Sequence, residues 1–173
     1  KVVEHFISIN GEGQKAGELA LFIRFAGCNL NCNYCDTSWA NQPGVQWEDM
    51  TEKELAAMVR DSGVQNVTLT GGEPLLQPGM NQLIEKLGQI DGVQIEIETN
   101  GSVSIEPFTG LSVRPAFTLD YKLPGSGMES YMRTENYRYL QERDTVKFVI
   151  SDETDLRKAE EIITAYKLQG RCG

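Results

Sequence analysis

At 173 residues the chain suits one domain around a single core, since a chain of that length buries roughly two thirds of the surface it exposes when unfolded. The 25 acidic residues outweigh 16 basic ones to leave a net charge of −9, with no Lys/Arg-rich stretch, which argues against nucleic acid as a partner. No apolar run approaches the roughly 20 residues needed to span a bilayer, and Lys1 to His5 lacks the features of a secretory signal, so no membrane partner, a cytoplasmic location and a small-molecule substrate are expected.

The first strand expected is Ala20 to Phe25, a nearly unbroken apolar run. It leads into an unusual loop, Cys28 to Gly44, which packs three of the four cysteines into eight residues as C-x3-C-x2-C: Cys28, Cys32 and Cys35. Thr51 with Glu54 forms a potential capping box ahead of a helix whose apolar face carries Leu55, Met58 and Val59. A strand over Val67 to Thr70 precedes a second odd loop, Gly71 to Gly79, and a helix with Met80, Leu83, Ile84 and Leu87 on one side. Strands at Val93 to Glu98 and Phe117 to Tyr121 follow, then a third odd loop, Leu123 to Gly127. A strand over Thr145 to Ile150 and a helix with Ala159, Ile162, Ile163 and Tyr166 complete the order.

Strand and helix patterns in alternation predict repeated βα units and a parallel sheet. Each odd loop follows a predicted strand, and ligands sit at those carboxyl ends in such folds, so the three loops mark the expected active face. With no strand after the last helix, a barrel built this way is open.

Three thiols from one short loop can hold an iron-sulfur cubane that keeps one iron free, or form part of a zinc site closed by a fourth ligand. Cys172 and His5 are the fourth donors on offer for zinc, and neither has a familiar spacing to the loop. The cysteines alone leave both readings open. Cys172 reads as an ordinary thiol near the chain end.

With Tyr34 before the third cysteine, the loop resembles the signature of the radical S-adenosylmethionine (SAM) superfamily, and Gly71-Gly72-Glu73-Pro74 after a strand resembles the run that receives the methionine amino group there. Within that superfamily the chain is most similar to the 7-carboxy-7-deazaguanine synthases, over about residues 6 to 150. The features that carry this are Ser8-Ile9-Asn10-Gly11-Glu12-Gly13, Arg24 at a strand end, Cys35-Asp36-Thr37, Glu98-Thr99-Asn100-Gly101 and Asp120-Tyr121-Lys122-Leu123-Pro124. Asn10 stands where that family usually has Gln, and the family usually continues past Gly173.

The resemblance implies an α/β fold, a partial, open (β/α)6-type barrel with reduced helices, spanning 1–173 as a single domain, with truncation at both ends left open. It implies a [4Fe-4S] cluster on Cys28, Cys32 and Cys35, and Mg2+ at Thr37. SAM would lie against Tyr34, Cys35, Asp36, Gly71, Gly72, Glu73, Thr99, Asp120, Tyr121 and Lys122. The substrate, 6-carboxy-5,6,7,8-tetrahydropterin, would meet Ile9, Asn10, Gly11, Glu12, Arg24 and Thr70. Reductive cleavage of SAM would start a ring contraction to 7-carboxy-7-deazaguanine and ammonia, a step toward queuosine, with flavodoxin or ferredoxin as electron donor and a homodimer as the assembly. The alternatives weighed are a glycyl-radical enzyme activase and, from another class, a zinc-stabilised binding module.

Overall fold

The computed structural model describes all 173 residues. Six strands form one open sheet in sequence order: β1 (Val2–Ile9), β2 (Leu19–Phe25), β3 (Asn66–Gly71), β4 (Gln94–Thr99), β5 (Ala116–Tyr121) and β6 (Thr145–Phe148). From β2 to β6 every pairing is parallel. The expectation of a parallel sheet is corrected at one edge, where β1 runs antiparallel to β2. A hairpin explains the reversal, since the short connection between β1 and β2 allows only an antiparallel return. Its loop is closed by hydrogen bonds from Asn10 N to Glu18 O and from Gly17 N to Asn10 O, both 2.8 Å.

The helices are α1 (Glu52–Ser62), α2 (Met80–Leu87), the single turn α3 (Glu106–Thr109) and α4 (Glu153–Ala165). The capping box that starts α1 is formed on both sides: Glu54 N donates to Thr51 Oγ1 and Thr51 N donates to Glu54 Oε2. The apolar faces read from the sequence bury Leu55 and Val59 of α1 and all four of Met80, Leu83, Ile84 and Leu87 of α2. Tyr166 lies just past α4 as its C-cap. Between β5 and β6 the chain uses short 3-10 turns in place of a helix.

Strand alternation divides the sheet into two faces. Odd-numbered residues of the central strands, Ile23, Leu69, Ile97 and Phe117 among them, are almost wholly buried in the core. Even-numbered residues, namely Arg24, Thr70, Glu98 and Asp120, point the other way and line a cleft. The register pairs Arg24 with Thr70, and Glu98 with Thr118, so the polar face runs continuously across the sheet.

Candidate active site

The cleft lies at the carboxyl ends of the strands and encloses about 560 Å³. The three expected loops meet there as follows. Gly72 N donates to Phe25 O and Glu73 N to Gly27 O, which ties the loop after β3 to the start of the cysteine loop. Asn33 N donates to Ser126 O and Asn33 Nδ2 to Gly125 O, which ties the cysteine loop to the loop after β5.

Two glycines make the first tie possible. A Cβ on Gly71, whose φ is +130°, would stand 2.3 Å from Phe25 O, and one on Gly72 would stand 1.9 Å from Gly27 O. Both contacts are with backbone, which cannot swing aside.

Cys28, Cys32 and Cys35 are free thiols, half-buried, and all three border the cleft with Tyr34, Asp36 and Thr37. Burial pushes the Cys32 thiol up, and the Lys122 ammonium opposes it. Cys172 lies apart, its thiol on Leu168 O, and His5 does not border the cleft. No three or more histidine, cysteine, aspartate or glutamate side chains are placed to hold a single ion. Cys28, Cys32 and Cys35 on one cleft supply the three-thiol donor set of a cubane with an open iron. Thr37 Oγ1 sits 3.7 Å from Cys35 Sγ.

Beside the thiols, polar valences are left open. Tyr34 Oη, Asn41 Oδ1 and Asp120 Oδ1 are buried without a hydrogen-bond partner, and all three residues border the cleft. Buried polar atoms in folded proteins are rarely orphaned, so a polar ligand is expected against them. Asp120 Oδ2 is met by Lys122 Nζ at 2.5 Å. Burial works against the Lys122 ammonium, but the Asp120 carboxylate outweighs it and holds the lysine above its ordinary range.

Two residues expected to meet the cofactor turn their side chains away from the cleft. Glu73 is fully buried and does not border the cleft; it accepts from Leu75 N, Asn100 N and Thr99 Oγ1, so it bolts the loop after β3 to the end of β4. Burial raises its carboxyl pKa, and these hydrogen bonds oppose the rise. Tyr121 is an odd-numbered residue of β5 and faces the core, with its hydroxyl on Glu129 Oε1 at 3.2 Å. Thr99, Asp120 and Lys122 do border the cleft, as do Gly71 and Gly72.

On the β1–β2 side, Ile9, Asn10, Gly11, Glu12, Arg24 and Thr70 all border the cleft, and most of their charged and polar side chains have a protein partner. Arg24 Nε meets Glu4 Oε1 at 2.7 Å, while its two Nη groups have no protein partner. Glu12 pairs with Lys147 at 2.5 Å. The Asn10 side chain is 1% exposed and donates to Glu96 Oε2 at 2.8 Å, so it shapes the turn and leaves the backbone to meet a ligand. Gly13 lies against the same glutamate, and a Cβ there would stand 2.1 Å from Glu96 Oε1. Phe6 and Phe22 stack with centroids 5.1 Å apart and add an apolar wall.

Glu98, quoted above only as part of a motif, and Lys147 are further cleft residues. Glu98 Oε2 accepts from Thr70 Oγ1 at 2.7 Å, and burial raises its pKa. The signal was the alternation Ile95-Glu96-Ile97-Glu98: two glutamates facing one side of a central parallel strand are out of place in a purely structural sheet.

Known proteins resemble this chain in sequence and in fold. The profile described as Radical SAM superfamily matches residues 22–111. A 7-carboxy-7-deazaguanine synthase from Clostridium acetobutylicum is 56% identical over 168 residues, covering 97% of this chain and 76% of the relative. One from Methanospirillum hungatei is 38% identical over 168 residues, covering 96% of this chain and 68% of that protein. The crystal structure of QueE from Escherichia coli superposes with a TM-score of 0.73 at 23% identity, over 94% of this chain and 76% of that one, a likeness that speaks for the fold alone. Relatives this similar, aligned along nearly the whole chain, settle its kinship: it belongs to the 7-carboxy-7-deazaguanine synthase family of the radical SAM superfamily.

Proposed function

We propose that residues 1–173 act as one radical SAM domain that converts 6-carboxy-5,6,7,8-tetrahydropterin to 7-carboxy-7-deazaguanine and ammonia, in the cytoplasm and in service of queuosine synthesis. Family membership makes the chain an enzyme, a lyase that works with a [4Fe-4S] cluster and SAM. The observation that carries the substrate assignment is a cleft with cysteine thiols at one side and Arg24, Glu12 and Glu98 at the other. Such a cleft can hold a cofactor and a small, carboxylated, nitrogen-rich substrate side by side.

Cys28, Cys32 and Cys35 would hold the cluster, which when bound supplies the single electron that reductive cleavage of SAM requires. The carbonyls of Gly71 and Gly72 suit the methionine amino group, and Tyr34, Asp36, Thr99, Asp120 and Lys122 border the space for the rest of SAM. The free Nη groups of Arg24 match a carboxylate in the bidentate manner that lysine cannot. Glu12, Glu98 and the backbone of Ile9 to Gly11 supply acceptors for the N–H edge of a pterin, and Thr70 fixes Glu98 for that task. Phe6 and Phe22 keep water from one flank. Mg2+ at the Thr37 hydroxyl would offset charge on the substrate carboxylate. A reduced flavodoxin or ferredoxin is the proposed donor, and a homodimer the proposed assembly.

Anaerobic incubation with SAM, a one-electron reductant and the carboxytetrahydropterin, read by mass spectrometry, tests this. Deazapurine and 5′-deoxyadenosine are expected together. Formation of 5′-deoxyadenosine without deazapurine refutes the substrate while sparing the superfamily chemistry.

A further inference from the structure

Resting on the cluster reading above, we propose that Asn100 raises the reduction potential of the cluster by donating a hydrogen bond to the sulfur of Cys28. Asn100 follows β4, is 8% exposed, and places Nδ2 3.5 Å from Cys28 Sγ. Its amide can face only one way. Oδ1 accepts from Ser102 N at 2.9 Å and from Ser102 Oγ at 2.6 Å, so the nitrogen is turned toward the cysteine loop. One Nδ2 hydrogen goes to Asn29 Oδ1 at 3.0 Å, and the other is free for sulfur. Asn29 is itself fixed by donating from Nδ2 to Ser102 Oγ at 2.8 Å. The backbone N–H of Asn100 is held by Glu73 at 2.8 Å, so the residue is anchored through main chain and side chain alike.

The three sulfurs are served unequally. Cys28 Sγ also receives Leu30 N at 3.4 Å, from within its own loop, and Cys35 Sγ has the Thr37 hydroxyl at 3.7 Å. Asn100 is the donor to Cys28 that comes from the sheet, 72 residues along the chain. Adding an electron increases negative charge on the ligand sulfurs, so a donated N–H stabilises the reduced cluster more than the oxidised one. Asn100 is itself buried, so water screens that preference less than it would on an open surface.

The test is a mediated redox titration, followed by electron paramagnetic resonance, of anaerobically reconstituted wild type, Asn100→Ala, Asn100→Asp and Ser102→Ala, with iron and sulfide measured in each. At the wild-type midpoint, Asn100→Ala is expected to lower the ratio of reduced to oxidised cluster roughly threefold to tenfold. Asn100→Asp adds negative charge and should shift further in the same direction, and Ser102→Ala, which only loosens the amide, should shift less. An Asn100→Ala protein with full iron and sulfide and a wild-type midpoint overturns the proposal. Should the Asn100 variants lose the cluster, an unshifted midpoint in Ser102→Ala overturns it. Wild type that binds no iron and sulfide instead overturns the cluster reading itself.

Discussion

The two sides of the cleft are prepared in opposite ways. Toward β1 and β2 the charged groups come already paired, Arg24 with Glu4 and Glu12 with Lys147, so incoming substrate meets a pre-arranged surface. Toward the cysteine loop, Tyr34 Oη, Asn41 Oδ1 and Asp120 Oδ1 are buried and unpaired. The first side keeps only the exposed Nη groups of Arg24 open, whereas the second holds open valences that are buried. Binding on the second side therefore gains hydrogen bonds for groups that have already lost their water, whereas binding on the first must displace water from Arg24 or compete with Glu4 and Lys147 for the paired charges.

The contrast can be broken most severely at the cysteines. Cys32→Ala is expected to abolish both 5′-deoxyadenosine and deazapurine formation, because two thiolates cannot hold the cluster with one open iron; residual cofactor cleavage above background in the iron-loaded variant would sink the assignment. Asp120→Asn follows, removing an acceptor charge that the paired side has no means to replace. Both products should fall together, roughly 10-fold to 100-fold, as expected for losing a hydrogen bond to a buried charge. Arg24→Ala should separate the two sides, with deazapurine formation falling roughly tenfold or more while 5′-deoxyadenosine persists. Parallel loss of both would show that Arg24 serves the cofactor side.

The smallest effect concerns stability. The Glu98 carboxyl has a raised pKa in the folded protein because burial disfavours its charged form. Its contribution to stability is therefore fully present below the ordinary carboxylate pKa and is lost as pH rises through the raised value. Glu98→Gln stays neutral and keeps an acceptor for Thr70, so its melting temperature should match wild type in acid and exceed it at neutral pH. A variant that melts below wild type at neutral pH would mean that the charged form is the one the fold favours.

The parallel core of the fold was legible because its strands are apolar runs whose odd-numbered positions fill the interior, and because α1 carries its own start signal in Thr51 and Glu54. β1 was not legible. It is an edge strand with Glu4 and His5 in its middle, and its burial is too partial to impose a clear alternation. The site was legible wherever a backbone feature fixes a residue's place, as at Cys28 to Cys35 and Gly71-Gly72. It was less legible where closeness to a motif does not fix a side chain's direction. Glu73 adjoins the glycine pair yet turns inward, and Tyr121 lies between Asp120 and Lys122 yet faces the core. Glu98 opens a quoted motif, but its place in the cleft needed the strand period to be followed residue by residue, and no local signature marks Lys147.

The ties of Gly72 N to Phe25 O and of Glu73 N to Gly27 O also predict an order of assembly. The cysteine loop begins at the end of β2, and its first residues are held by the loop after β3. The loop can take its final path only once the β2–α1–β3 crossover has closed, a non-local step and hence a late one. Iron loading should accordingly be fastest on protein whose sheet is already formed, and an alanine at Gly72 should slow loading by delaying that closure as well as by crowding the finished site.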